Sequence, residues 1–275
     1  MKEVIQSLSD AAVLRVDQIN TSKTKYFVSA MMAGFFVGLG IILIFTIGGL
    51  LSPISVAATR IVMGVSFGIA LSLVLMAGAD LFTGNNMIMT IGTLEKRTTW
   101  KDTWRIWGFG FVGNFAGSVL VAGLYYYSGL WQGATAEFIT TTASTKMNAP
   151  FMELLVRGIL CNILVCLAIW CAFKLKDDTA KLIVIFWCLF AFITSGFEHS
   201  IANMTLLSIG LMVPHPETVS LFGMGANLVP VTIGNMIGGI VFVGGAYWYT
   251  LSDTVAKKSG RSHPSVTSNK LRKEA

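Results

Sequence analysis

Apolar positions gather into six long runs, at residues 27–51, 61–94, 104–130, 151–173, 182–213 and 228–251, separated by short polar stretches. The first carries no charge from Tyr26 to Leu51, which exceeds the roughly 20 apolar residues an α-helix needs to cross a bilayer. Hydrocarbon offers nothing to bond a free N–H or C=O, so runs of this kind have to be helical. The second and fifth are too long for single straight spans and turn polar midway: Asp80 to Asn86 interrupts one, Ser195 to Asn203 the other. The pattern predicts an all-α polytopic membrane protein of six transmembrane segments, with segments 2 and 5 broken. Residues 1–25 are polar with a faint amphipathic pattern (Val4, Leu8, Ala12, Leu14), and residues 253–275 are basic and expected to form a disordered tail. The first apolar run is too long for a signal core and lacks a small-residue cleavage site.

Within the 26–252 channel domain the pattern repeats. Gly113-Asn114-Phe115-Ala116-Gly117 matches Gly234-Asn235-Met236-Ile237-Gly238, and Gly123 with Gly244 and Tyr126 with Tyr247 continue the match at the same separation. Asp80, Thr83 and Asn86-Met87 resemble, more loosely, Glu198, Ser200 and Asn203-Met204. Duplicating three segments reverses their direction, so the halves, about 26–130 and 151–252, are expected to be inverted repeats with a permeation or binding site between them. The spacings Gly34/Gly38, Gly64/Gly68, Gly113/Gly117 and Gly234/Gly238 let helix backbones approach closely and point to a compact bundle.

Composition agrees: 54% of residues are hydrophobic and only 12% charged, where soluble domains carry about a quarter. The net charge of +6 does not indicate nucleic acid, because no basic face interleaved with aromatics exists. The charge sets topology instead. Of the 20 lysines and arginines, all but Arg60, Lys146 and Arg157 fall on the side of the N-terminus, which places both termini in the cytoplasm. Cys161, Cys166 and Cys171 recur every five residues and turn to different faces of a helix, so they read as buried apolar side chains rather than metal ligands. No metal or cofactor is expected.

Non-helical backbone at membrane depth survives only where it is buried in protein or lines a cavity. In Ala79 to Asn86, freed amides and the Thr83 hydroxyl are suited to hydrogen-bonding an anion. In Gly196 to Asn203, two adjacent ionisable residues, Glu198 and His199, lie inside a membrane segment and mark a functional site by default. Glu198 is open to a structural reading beside the functional one, since Asp80 partners it in the repeat. His199 is the group placed to donate to a passing anion or exchange a proton with it. Lys146 stands where basic residues are scarce and is the natural electrostatic lure. Arg157 is expected to pair with Glu153 one turn earlier. Asn162, inside segment four, needs a partner and serves as lining or as glue.

Gly196-Phe197-Glu198-His199-Ser200-Ile201-Ala202-Asn203-Met204 closely resembles a signature of the formate/nitrite transporter family of pentameric anion channels. Cys161 to Trp170 and Leu81-Phe82-Thr83-Gly84 strengthen the likeness, which covers roughly residues 5 to 252. Gly38 to Thr46, Trp187 to Ile193 and Tyr247-Trp248-Tyr249 look most like the nitrite branch. The resemblance implies an aquaporin-like protomer with its own pore, in a homopentamer of a bacterial inner membrane. It implies His199 as the central histidine, Thr83 as the threonine of the interrupted loop, Lys146 as the outer lysine and Asn162 as the mid-pore asparagine. It implies constrictions at Phe67, Leu81 and Phe192 on the outer side, and at Leu71, Phe82 and Val165 on the inner side, with Asp80, Glu198 and Asn203 in support. Asp80 stands where the family usually has Glu. The implied activity is passive, pH-modulated passage of a small monovalent anion, nitrite first, with formate and hydrosulfide as competitors. A neutral-solute pore is disfavoured by the absence of paired Asn-Pro-Ala motifs. An embedded enzyme is disfavoured because it would need a catalytic pair or metal cluster near His199, whereas His215 and His263 fall in a loop and the tail.

Overall fold

The computed structural model describes residues 1–251, so the expected tail lies outside the described residues. A first helix, α1 (Lys2–Thr21), leads into a first span, α2 (Lys23–Leu51), whose N-terminus is capped by the Ser22 hydroxyl. The second span is α3 (Val56–Ser66) and α4 (Gly68–Met76), kinked at Phe67 and followed beyond the break by α5 (Phe82–Leu94). The third is α6 (Trp100–Ser128), started by a reciprocal capping box between Thr99 and Asp102. A 14-residue helix, α7 (Ala134–Met147), then lies before the fourth span, α8 (Phe151–Lys174). The fifth is α9 (Asp178–Ser195) with α10 (Ser200–Met212) beyond its break. The sixth runs through α11 (Leu221–Ile237), a π-helical stretch Gly238–Gly245 and α12 (Ala246–Leu251). Six stretches are long and apolar enough to cross a membrane, and no strand occurs among the described residues.

Glycine packing sets the two halves. α2 lies along α6, and α8 along α11. A Cβ on Gly34 would sit 1.9 Å from the Asn114 carbonyl oxygen, and one on Gly117 the same distance from that of Met31. In the second half, Cβ atoms on Gly234 and Gly238 would lie 2.2 Å from the Leu155 oxygen and 2.4 Å from the Ile159 oxygen. Only a bare backbone fits these approaches, so each helix pair is locked at the glycine register.

The breaks are alike too. Gly78 (φ +76°) and Gly196 (φ +79°) each reverse the chain two residues before an acid, in a left-handed conformation that L side chains avoid. Each break is followed by a buried helix of 13 residues, starting at Phe82 or Ser200. The interruptions are thus shorter than the sequence suggested: Thr83 to Asn86 and Ser200 to Asn203 belong to the first turns of α5 and α10 rather than to loops. The register of the repeat is also corrected, since Asn85, not Asn86, occupies the place of Asn203.

α1 and α7 are a further repeat pair, and α7 has no counterpart in the sequence reading. α1 packs on α5, and α7 on α10. The packed face of α1 runs through Val4, Leu8, Ala12 and Ile19, whereas Leu14 is 60% exposed.

Candidate functional site

Two buried asparagines hold the breaks. Asn114 Oδ1 accepts the Phe82 N–H at 2.9 Å, while its Nδ2 donates to the carbonyls of Asp80 (3.0 Å) and Ala30 (2.7 Å). Asn235 Oδ1 accepts the Ser200 N–H at 2.8 Å, and its Nδ2 donates to the carbonyls of Glu198 (2.9 Å) and Gly158 (2.8 Å). Each amide therefore clips the peptide groups on both sides of one residue, Leu81 in the first half and His199 in the second. These bonds take up backbone groups that the broken helices free and lipid cannot bond. Both asparagines sit in the matched motif of the repeat, beside the glycines that first revealed it.

The two acids are paired in the same manner. Asp80 accepts from Asn85 Nδ2 and lies 3.4 Å from Arg15 Nε, which donates to Asn85 Oδ1 at 2.6 Å. Glu198 accepts from Lys146 Nζ at 2.7 Å and from Asn203 Nδ2 at 2.6 Å. Asn227 closes this network by accepting from Asn203 and donating to the Lys146 carbonyl. Both carboxylates are buried, at 5% and 3% exposure, so each needs its cation: stranding one such charge costs about 3–5 kcal/mol. Arg15, counted in the sequence only as a topological charge, thus does for Asp80 what Lys146 does for Glu198. The expected Arg157–Glu153 pair is present on the exposed face.

The halves differ at one position. Leu81 precedes α5 with no side-chain cap, whereas the equivalent His199 caps α10, its Nδ1 accepting the Ala202 N–H at 3.1 Å. An Nδ1 engaged as acceptor leaves the ring proton on Nε2, 3.0 Å from Thr83 Oγ1. Nε2–H therefore donates to Thr83, and the Thr83 proton is left for another acceptor. Glu198 and His199, though adjacent, turn to different partners, so they form no catalytic pair. Asn162 is fully buried and donates to the carbonyls of Thr83 (3.2 Å) and Asn235 (2.7 Å) and to Asn86 Oδ1 (3.3 Å), tying the halves together behind the site.

Two cavities approach this point. One, of about 330 Å³, is bordered by Arg60, Lys146, Arg157, Phe192, Glu198, His199 and Asn203. The other, of about 750 Å³, is bordered by Arg15, Asp80, Asp178 and Lys181. A gap of only about 10 Å³ lies deeper, walled by Val37, Phe67, Ala70, Leu71, Leu81, Val165, Leu189, Phe192 and His199. That is about the room for one water molecule. Every constriction residue named from the sequence except Phe82 lines this gap. The Phe82 ring packs edge-on against Phe111, with centroids 5.2 Å apart. The positive ends of α5 and α10 meet at the His199–Thr83 contact, and both favour negative charge.

Such a fold, with inverted three-span halves, paired re-entrant helices and one polar contact set in an apolar neck between open vestibules, defines a transmembrane channel or transporter of small solutes. The comparisons carry this further. A family model described as formate/nitrite transporter matches residues 2–249, and the chain belongs to that family. It is 48% identical over 225 residues to the nitrite transporter NirC of Escherichia coli, covering 82% of each chain. A solved "FNT family ion channel" is 41% identical and superimposes with a TM-score of 0.88, covering 92% of this chain and 100% of that one. A "Pentameric formate channel with formate bound" is 27% identical, with a TM-score of 0.73 over 84% of this chain and 98% of that one. The chain is accordingly a multi-pass membrane transport protein and not an enzyme.

Proposed function

We propose that this protein is a passive channel for small monovalent anions, chiefly nitrite, working as a homopentamer in a bacterial inner membrane with both termini in the cytoplasm. The observation that carries the reading is the replacement, at one otherwise symmetric position, of Leu81 by His199. An anion entering the neck loses most of its water, which is costly unless fixed donors replace it. The Thr83 hydroxyl, oriented by the Nε2–H behind it, and the amide-rich ends of α5 and α10 are such donors. Phe67, Leu71, Leu81, Val165 and Phe192 form the apolar neck around them, while Lys146, Asp80, Glu198, Asn203 and Asn162 keep the frame in register.

Identity to the nitrite transporter NirC, well above that to the formate channel, favours nitrite. The gap does not separate nitrite from formate, which is also planar with three heavy atoms, and formate and hydrosulfide remain its competitors. Protonation of the anion near His199 would remove the dehydration cost, but a second ring proton on Nδ1 would displace the Ala202 cap. Side-by-side currents carried by nitrite, formate and hydrosulfide through purified protein test the substrate order, which is overturned if formate conducts better than nitrite. For the proton step, a His199→Gln protein that keeps the wild-type pH dependence of nitrite flux would show that His199 is not its source.

A further inference from the structure

Charges bordering the two vestibules differ in one respect. On the side of α1, Arg15 is paired with Asp80 and Lys181 with Asp178, so the bordering charges cancel. On the opposite side Lys146, the expected lure, is held by Glu198 at 2.7 Å and has only 20% of its side chain exposed. Arg157 is paired with Glu153. Of the cations bordering the two cavities, Arg60 alone has no hydrogen bond or ion pair among the described residues, and it is exposed. It lies on the face of α3 that also presents Val56, Thr59 and Met63 to the same cavity.

We propose that Arg60, rather than the paired Lys146, is the cation that draws anions into the vestibule on the Lys146 side. Removing its charge should then slow entry from that side and leave entry from the α1 side unchanged. The inference rests on the anion-channel reading above and adds to it the residue at which the ion is captured. A tightly paired cation presents an incoming anion with a dipole, whose field falls off steeply. A free guanidinium presents a full charge, and an apolar-walled cavity focuses its field. In water, a unit charge about 7 Å from an anion gains about RT, roughly a threefold local enrichment. Arginine holds its charge at any working pH and binds planar oxyanions with a fork of donors. Since the anion passes on, the exposed, weakly held encounter that Arg60 offers suits capture without trapping.

The test is nitrite current through purified full-length protein in planar bilayers, with sidedness fixed by access of an antibody to an N-terminal tag. Currents are read at both polarities at about 0.01 M and about 1 M ionic strength, set with an impermeant anion, where screening lengths are ~30 Å and ~3 Å. At low ionic strength Arg60→Gln is expected to admit anions from the Lys146 side roughly threefold more slowly than wild type, with entry from the α1 side unchanged, and the two proteins should converge at high ionic strength. Arg60→Lys should keep most of the wild-type rate. An Arg60→Gln protein that matches wild type from the Lys146 side, or slows equally from both sides, overturns the inference while leaving the channel reading intact. A wild-type protein that conducts no small anion from either side overturns that reading instead, and the inference with it.

Discussion

Replacing His199 by leucine makes the second half match the first, where Leu81 holds the same place, and so isolates what the imidazole contributes. The stability cost is small. The variant loses the Nδ1 cap on Ala202, typically about 1 kcal/mol, and the bond to Thr83 Oγ1, also about 1 kcal/mol. Leucine returns part of this by burying its side chain beside Phe192, whose ring lies 6.1 Å from that of His199. Asn235 still clips the peptides on either side, because both of its bonds there are to backbone. The net loss is expected to be about 1–2 kcal/mol, leaving a folded protein. Transport should fall much further. Without Nε2–H behind it, the Thr83 hydroxyl is no longer held as a donor toward the neck, and one hydrogen bond to a charged group is worth about 2 kcal/mol. That corresponds to roughly a 30-fold lower flux.

The assay is nitrite influx into proteoliposomes at matched protein content, with thermal unfolding in detergent alongside. His199→Asn sharpens the comparison, since asparagine is a strong N-cap yet its shorter amide does not reach Thr83. It should recover most of the stability lost by His199→Leu and little of the flux. If His199→Leu carries nitrite within about threefold of wild type, the donor argument is wrong and the neck passes anions without an imidazole. If both variants lose flux only in proportion to unfolded protein, His199 is a cap and nothing more.

The matched frame makes further outcomes specific. Asn114→Ala and Asn235→Ala each strip three buried hydrogen bonds, and at about 1–2 kcal/mol apiece the two should lower stability by similar amounts, about 3–6 kcal/mol, in detergent unfolding. Lys146→Met should destabilise by about 3–5 kcal/mol by stranding Glu198, while the double variant Lys146→Met/Glu198→Leu should recover at least half of that loss; a double variant as unstable as the single one would refute the pairing argument. Gly117→Ala, whose new methyl would meet the Met31 carbonyl at 1.9 Å, should force α2 from α6 and lower the yield of folded protein, whereas Gly123→Ala, with no atom within 4 Å, should be silent in the same unfolding assay.

Sequence pattern carried the features that depend on solvent. The six spans are legible because lipid demands long apolar runs, and the breaks because a polar residue at that depth has to be explained. Helix α7 was missed because its sequence, rich in threonine and alanine, buries only a narrow stripe through Thr135, Ile139, Thr140, Ala143 and Met147, and a window sized for a membrane span passes over it. Arg15 was legible as charge but not as the partner of Asp80, a pairing across 65 positions of chain that no local signal marks. Asn85 and Asn86 are chemically identical neighbours, and which one faces Asp80 depends on where α5 begins. Element ends are the least local property of a helix. The same limit moved Thr83 from a loop into the first turn of a helix.

The inverted repeat, first a matter of matched glycines, now separates scaffold from chemistry. Gly78 and Gly196, Asn114 and Asn235, Asp80 and Glu198, and Asn85 and Asn203 correspond, and Arg15 and Lys146 each face the acid of their half, Lys146 donating to Glu198 directly and Arg15 lying 3.4 Å from Asp80 while it donates to Asn85. Duplication requires that much, because each re-entrant helix faces the same problem of freed backbone groups and one buried acid. A channel built only from that set would be apolar at its centre and alike from both sides. The two departures from symmetry are the positions to which the proposed function assigns the chemistry. On that reading Leu81 against His199 puts an imidazole behind the Thr83 hydroxyl, so that a dehydrated anion meets a donor and not only hydrocarbon. The unpaired Arg60 stands against the paired cations that border the opposite vestibule, which makes it the proposed point of capture on the Lys146 side. Substitutions at the symmetric positions should therefore be read out chiefly as stability, and those at His199 and Arg60 chiefly as flux.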